Sequence, residues 1–192
     1  MVLFRNDFIE RYPQILSSDD CKKIIRKFDK SPTTLPILSH GLDRSKKDCV
    51  QIANDFDKFD IISNIINTPL RSCIQQYYNK HDSYKVLSHS DVCSEYNVQK
   101  YNPGQGYHRV HCENGGFRKT FLSRILAWMI YLNNVSDGGE TYFPTQKRKL
   151  KPKEGDLYIW PAYFTHPHKG LVSNTQVKYI ATGWVYLIPE LP

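Results

Sequence analysis

His111-x-Glu113, His168-Lys169-Gly170 and Lys178 are the residues of this chain whose types and spacing could do chemistry together. Two imidazoles and one carboxylate can occupy one face of a metal ion and leave the opposite positions open. That set suits Fe(II), with room for a chelating co-substrate and O2. Residues i and i+2 of a strand point to the same face, so a strand here predicts that His111 and Glu113 project together. His168 must then approach through the fold. Lys178, ten residues after it, supplies a fixed positive charge for an anionic co-substrate. Alternatives stay open at this level. His166 shares a strand face with His168, and His108 competes with His111. Zinc on these four histidines is a formal alternative, although no compact zinc-type spacing stands out. Cys112 faces away from both neighbours in a strand and is not counted as a ligand.

The elements that must position these residues change character half-way along the chain. Ser18 is placed as the cap of a helix carrying Cys21, Ile24, Ile25 and Phe28 at helical spacing, with Asp19 and Asp20 at the positive end of its dipole. Residues 31–54 read as irregular. A second apolar stripe starts near Phe59 and includes Ile62 and Ile66. Thr68-Pro69 then reads as a new cap with proline at the first helical position, leading into Leu70, Cys73, Ile74 and Tyr77. In the second half, residues 96–101, 124–134, 140–143, 156–160, 164–168 and 177–188 are β-branched and aromatic, and turn signals separate them. The expected fold is α+β with a mainly β core, a sandwich or barrel supported by N-terminal helices. Residues 102–120, rich in Gly, Asn and Arg, are placed as a mobile loop over the site.

Composition narrows the function classes. The 192 residues suffice for one domain spanning 1–192, with 1–90 as a helical support region and 91–192 as the catalytic core. Hydrophobic residues at 40% and charged residues at 23% fit an ordinary globular chain. No apolar run approaches the roughly 18 residues of a spanning helix, and the N-terminus lacks a signal peptide's clean apolar stretch. Five scattered cysteines without C-x-x-C argue against a disulfide framework and for a reducing, cytoplasmic setting. The net charge is +7, partly from Lys147, Arg148, Lys149, Lys151 and Lys153. No aromatic residues interleave that run, which counts against nucleic acid as a partner.

From about Tyr96 to Leu187 the chain resembles the catalytic core of the Fe(II)/2-oxoglutarate-dependent dioxygenases, in their prolyl 4-hydroxylase-like branch. YNPGQGYHRVHCE is similar to that branch's tyrosine, P-G-x-x-Y and H-x-D run. MIYLNNVSDGGETYFP, KPKEGDLYIWPA and HKGLVSNTQVKYIATGWVY are similar to its following segments, in order. The resemblance implies a double-stranded β-helix, or jelly roll. It implies Fe(II), 2-oxoglutarate (2OG) as co-substrate, and ascorbate as a further cofactor. His111, Glu113 and His168 fall on the iron ligands, and Lys178 on the residue that pairs with the distal carboxylate of 2OG. Tyr101 and Thr141 fall on positions that hydrogen-bond the co-substrate, and Tyr131 is placed in the lining of its pocket. On the final strand Lys178 would share an inward face with Ile180, Thr182 and Trp184, and an inward lysine needs an anionic partner. The implied activity is hydroxylation of a peptidyl proline in a peptide or protein, with release of succinate and CO2. Alternatives are a small-molecule or nucleic-acid substrate within the same superfamily, or a catalytically degenerate jelly-roll metal-binding module. Glu113 departs from the family's usual aspartate, and Tyr101 precedes His111 by one residue more than expected.

Overall fold

The computed structural model describes residues 7–36, 41–82, 90–115 and 119–188. The first part supplies β1 (Glu10–Tyr12), α1 (Ser18–Asp29), β2 (Val50–Asp55), a short 3-10 turn at Phe56–Lys58 and α2 (Ile61–Lys80). The remainder supplies β3 (Ser90–Tyr101), β4 (Tyr107–His111), α3 (Lys119–Leu122), β5 (Arg124–Tyr131), β6 (Thr141–Phe143), β7 (Arg148–Leu150), β8 (Leu157–Pro161), β9 (His168–Gly170) and β10 (Lys178–Leu187). All pairings are antiparallel. Six strands form a large sheet in the order β1-β8-β5-β10-β3-β2, and four form a small sheet in the order β4-β9-β6-β7. The two sheets face each other as the expected jelly roll, with both long helices on the outer face of the large sheet.

Two apolar clusters follow from the alternation of strand residues. Leu126, Trp128 and Ile130 of β5 join Tyr96, Val98, Leu157, Ile159 and Ala181 against Ile24 and Phe28 of α1 and Ile62, Ile66 and Leu70 of α2. Ala127, Met129 and Tyr131 of the same strand point the other way, to Phe143 and Leu150 of the small sheet. With both faces covered, all eight residues of β5 are buried, which explains the unbroken apolar run RILAWMIY. Gly183 lets the Trp128 indole lie against β10, since a Cβ there would overlap the ring.

Several local expectations change. The cap of α1 is Ser17, whose hydroxyl accepts from the Asp20 amide at 3.1 Å. Phe59 is exposed, and α2 begins only after Asp60, which accepts from the Ser63 amide at 2.8 Å. No second helix starts at Thr68, because α2 runs on through Pro69. The buried face of Ile62, Ile66, Leu70, Cys73, Ile74 and Tyr77 stays in phase across the proline, and its packing outweighs the one backbone bond that proline removes. The first 90 residues also contribute two edge strands. All of β2 but Asp55 lies within the stretch read as irregular, and its pairing with β3 is a non-local contact. Residues 102–120 hold β4 rather than a loop; 116–118 lie outside the described residues. The 164–168 segment is a turn until His168, where β9 starts. Among the described residues no helix is long and apolar enough to cross a membrane. All five cysteines are free thiols.

Candidate active site

His111 and His168 are directly opposed Cα partners on the antiparallel strands β4 and β9. Cross-strand pairing, rather than spacing along the chain, therefore brings their rings to a 4.4 Å centroid separation. Glu113 is not on the strand with His111. It lies in the turn just past the end of β4, where its amide and that of Asn114 both donate to the Ala162 carbonyl, at 3.0 and 2.9 Å. That anchor swings its side chain back, so the His111–Glu113 convergence survives with a different cause. Glu113 Oε1 is 3.4 Å from His111 Nε2 and 3.3 Å from His168 Nε2.

The three donors fit a metal ion. Donors about 2.1 Å from one ion and at right angles to each other stand about 3 Å apart, close to the observed spacings. His111 Nδ1 is 3.0 Å from the Arg109 carbonyl and His168 Nδ1 is 3.0 Å from the His166 carbonyl. Carbonyls only accept, so each ring donates its Nδ1 proton there and turns an Nε2 lone pair towards Glu113. Burial, and then the neighbouring His168, hold the His111 pKa below the ordinary histidine value. Burial opposes ionisation of Glu113, but imidazoles that also carry an Nε2 proton outweigh it by their bonds and charge and hold the group well below the usual carboxylate range. A cation takes over that role when the imidazoles are neutral. Among the described residues, these three form the sole cluster of His, Cys, Asp and Glu donors able to hold a metal.

The cluster opens on a cavity of about 650 Å³ that also contains Lys178, Tyr101, Thr141 and Thr182. Lys178 is 3% exposed. Its ammonium donates to the Gly139 carbonyl at 2.9 Å and the Leu171 carbonyl at 3.4 Å, and lies 4.7 Å from the centre of the Tyr101 ring. It has no ion pair with a carboxylate among the described residues, and burial pushes its pKa down to about 8. Gly138 and Gly139 make this cradle. Gly138 has φ +110°, and a Cβ there would collide with the Val172 carbonyl.

Residues 96–186 match the family described as the 2OG-Fe(II) oxygenase superfamily. The match takes in His111, Glu113, His168 and Lys178. A mimivirus protein (Acanthamoeba polyphaga mimivirus) named "Putative prolyl 4-hydroxylase" is 30% identical over 60% of this chain and 58% of its own length. The chain thus spans less than two thirds of that relative. Among solved structures, the 2OG complex of a viral collagen prolyl hydroxylase from Paramecium Bursaria Chlorella virus-1 is similar in fold. Its TM-score is 0.73 at 22% identity, covering 95% of this chain and 98% of that one. A prolyl hydroxylase from Trichoplax adhaerens, in complex with a hypoxia inducible factor peptide fragment, gives a TM-score of 0.73 at 15% identity, over 95% and 84% of the two chains.

The fold brings most of the expected residues into one cavity. Tyr101 is the cross-strand neighbour of Lys178, and its hydroxyl donates to Gln99 Oε1 at 2.8 Å. Thr141 reaches the cavity from β6. Tyr131 does not line it, which corrects that expectation. It is fully buried behind Thr141, 3.1 Å from that hydroxyl, and donates to the Leu150 carbonyl at 2.9 Å. The alternation of β5 sends it to the interior between the sheets, where it joins Phe143, Leu150 and Tyr158 in the apolar cluster. His166 is not a competing ligand, since its Nε2 bonds the Asp7 carbonyl at 2.8 Å and its Nδ1 the Thr165 hydroxyl at 2.9 Å. His108 is exposed and outside the cluster.

Three further residues shape the site. Trp184 Nε1 donates to Glu113 Oε2 at 2.7 Å, and the Arg124 guanidinium stacks 3.6 Å from the Trp184 ring centre while reaching Glu113 Oε2 at 3.7 Å. Together they restrain one carboxylate oxygen and aim the other at the histidines. Tyr107 stacks on His111, with ring centres 3.8 Å apart and planes 18° apart. Trp184 carried a partial signal, its shared face with Lys178. Arg124 carried none, because it reaches Glu113 only through the pairing of β5 with β10.

Proposed function

We propose that the chain is an Fe(II)- and 2OG-dependent hydroxylase acting on a peptidyl proline. The observation that carries this reading is the joint presence, in one cavity, of the His111–Glu113–His168 donor set and a buried lysine with no carboxylate partner among the described residues. The names of the relatives support the substrate, and the peptide bound to the Trichoplax enzyme supports a peptide as partner.

His111, Glu113 and His168 would hold the metal. Bound there, Fe(II) supplies the activation of O2 that couples decarboxylation of 2OG, to succinate and CO2, to hydroxylation of the substrate, with ascorbate as an accessory reductant. Lys178 pairs with the distal carboxylate of 2OG, which compensates the cost of burying its charge. Tyr101 and Thr141 offer hydroxyls to the same co-substrate. Trp184 and Arg124 keep Glu113 Oε2 occupied, so that the longer glutamate arm presents a single oxygen to the metal. Phe143 and Trp160 pack against the His168 ring, at 5.0 and 5.2 Å between centres, and keep water from that side.

The test is succinate release from 2OG in the presence of Fe(II), with and without proline-containing peptides, together with mass analysis of the peptide. The expected result is peptide-stimulated succinate and a gain of one oxygen on proline. Absence of succinate under all conditions, together with no Fe(II) binding, overturns the reading.

A further inference from the structure

We propose that the substrate is an acidic peptide, whose carboxylates next to the target residue are held by Lys47 and Arg109. This deepens the preceding reading and rests on its assignment of the cavity to a peptide substrate. The cavity is lined by four cations, Lys47, Arg109, Arg124 and Lys178, against one carboxylate, Glu113. The two charges of Fe(II) offset the two of 2OG, so the loaded site keeps a positive excess. Lys178 is committed to the co-substrate, and Arg124 to Glu113 and the Trp184 ring. Lys47 and Arg109 remain, and neither forms an ion pair among the described residues.

The local sequence shows how Lys47 is set apart. In Asp43-Arg44-Ser45-Lys46-Lys47-Asp48, Asp43 pairs with Lys46 at 2.6 Å and Asp48 with Arg44 at 2.7 Å. Both acids of the segment are used on its solvent side, and Lys47 turns to the cavity. A backbone bridge joins it to Tyr107, and its ammonium lies 4.8 Å from the centre of that ring. Because Tyr107 stacks on His111, Lys47 stands one aromatic ring beyond a metal ligand. β4 bulges between Tyr107 and His111, and Arg109 on that bulge borders the cavity with both of them. Burial lowers the Lys47 pKa, a cost that a bound carboxylate would offset. An extended peptide advances roughly 3.3–3.6 Å per residue, so acids within two or three residues of the target fall in reach of this pair. Gln51 and Asn97 present amides on the same lining for the peptide main chain.

The test compares three labelled peptides of one length around a central proline, flanked by Glu, Gln or Lys. Their binding to the full chain loaded with Mn(II) and 2OG is read by fluorescence anisotropy. The Glu peptide is expected to bind about tenfold tighter than the Gln peptide, and the Lys peptide weakest. Raising salt from about 50 to about 300 mM should shrink the preference. The double variant Lys47→Gln/Arg109→Gln should level the three affinities, and Lys47→Glu/Arg109→Glu should invert their order, a gain that misfolding cannot mimic. Equal binding of the Glu and Gln peptides, or a preference that persists in the charge-reversed variant, overturns the proposal. A single-stranded oligonucleotide of equal charge that binds more tightly than the Glu peptide overturns it in favour of nucleic acid. Because binding is read without turnover, an inactive protein would count against the hydroxylase reading while the charge preference is still decided.

Discussion

On β10, Tyr179, Ala181 and Val185 face the helices, whereas Lys178, Ile180, Thr182 and Trp184 face the cavity. The same division holds on β3, with Tyr96 and Val98 on one side and Asn97, Gln99 and Tyr101 on the other. The two faces of the large sheet share every strand but not their cover. α1 and α2 close the helix side, which is continuous apolar packing. The small sheet covers the other side only in part, and the uncovered portion keeps a cavity with a lysine, a glutamine and the metal donors. The difference teaches that stability and chemistry are separated by one peptide unit, and that the helices hold rigid the strands from which the site projects.

Substitutions on the two faces should therefore have separable effects. The largest is expected from His168→Ala, which removes a metal donor. Fe(II) binding by titration and succinate release should fall to background, with little change in thermal midpoint. On the opposite face, Trp128→Ala should cost about 3–5 kcal/mol in denaturant unfolding, since the indole is fully buried, while the KM for 2OG of the folded protein holds. A KM that moves with stability would break the separation.

Lys178→Met tests a place where the two quantities oppose each other. Loss of one charge-assisted pair should weaken 2OG by roughly 1.5–3 kcal/mol, or about ten- to a hundredfold, measured by calorimetry. Without 2OG the same variant should melt above the wild type, because a buried ammonium lacking a carboxylate has gone. In the fold Lys178 titrates near 8, against 10.5 ordinarily. Below about 8 both folded and unfolded lysine are charged and the penalty is complete. Between about 8 and 10.5 the folded protein has released the proton and the unfolded chain still binds it, so wild-type stability rises with pH. The melting advantage of Lys178→Met should narrow over that window. The smallest effect is expected from Trp184→Phe. It keeps the ring but loses the bond to Glu113 Oε2, so Co(II) affinity should fall about tenfold with the thermal midpoint nearly unchanged.

The parts that were legible in advance are those encoded by local pattern. The strands β5, β8 and β10 follow from their β-branched and aromatic runs, the breaks between them from turn residues, and the buried stripe of α1 from helical spacing. The motif resemblance placed His111, Glu113, His168, Lys178, Tyr101 and Thr141, and all six border one cavity. The misses have non-local causes. β2 has little strand character of its own and forms because β3 offers an edge. Pro69 read as a helix start because a local rule cannot weigh the packing of the whole α2 face. Tyr131 read as pocket-lining because its depth depends on how closely β6 approaches β5.

By itself the sequence determined which residue types are available for a metal, an anion anchor and a jelly-roll core, since these depend on side-chain chemistry and on a period of two. The motif resemblance already favoured His168 over His166, and only the tertiary structure supplied the physical reason. It paired His168 with His111 across two strands, and it used both nitrogens of His166 to hold residue 7 and Thr165. It likewise turned Glu113 inward through two bonds to Ala162, and set Trp184 and Arg124 behind it. Hydrogen-bond partners and cross-strand neighbours come from residues far apart in the chain, so no spacing along it can specify them.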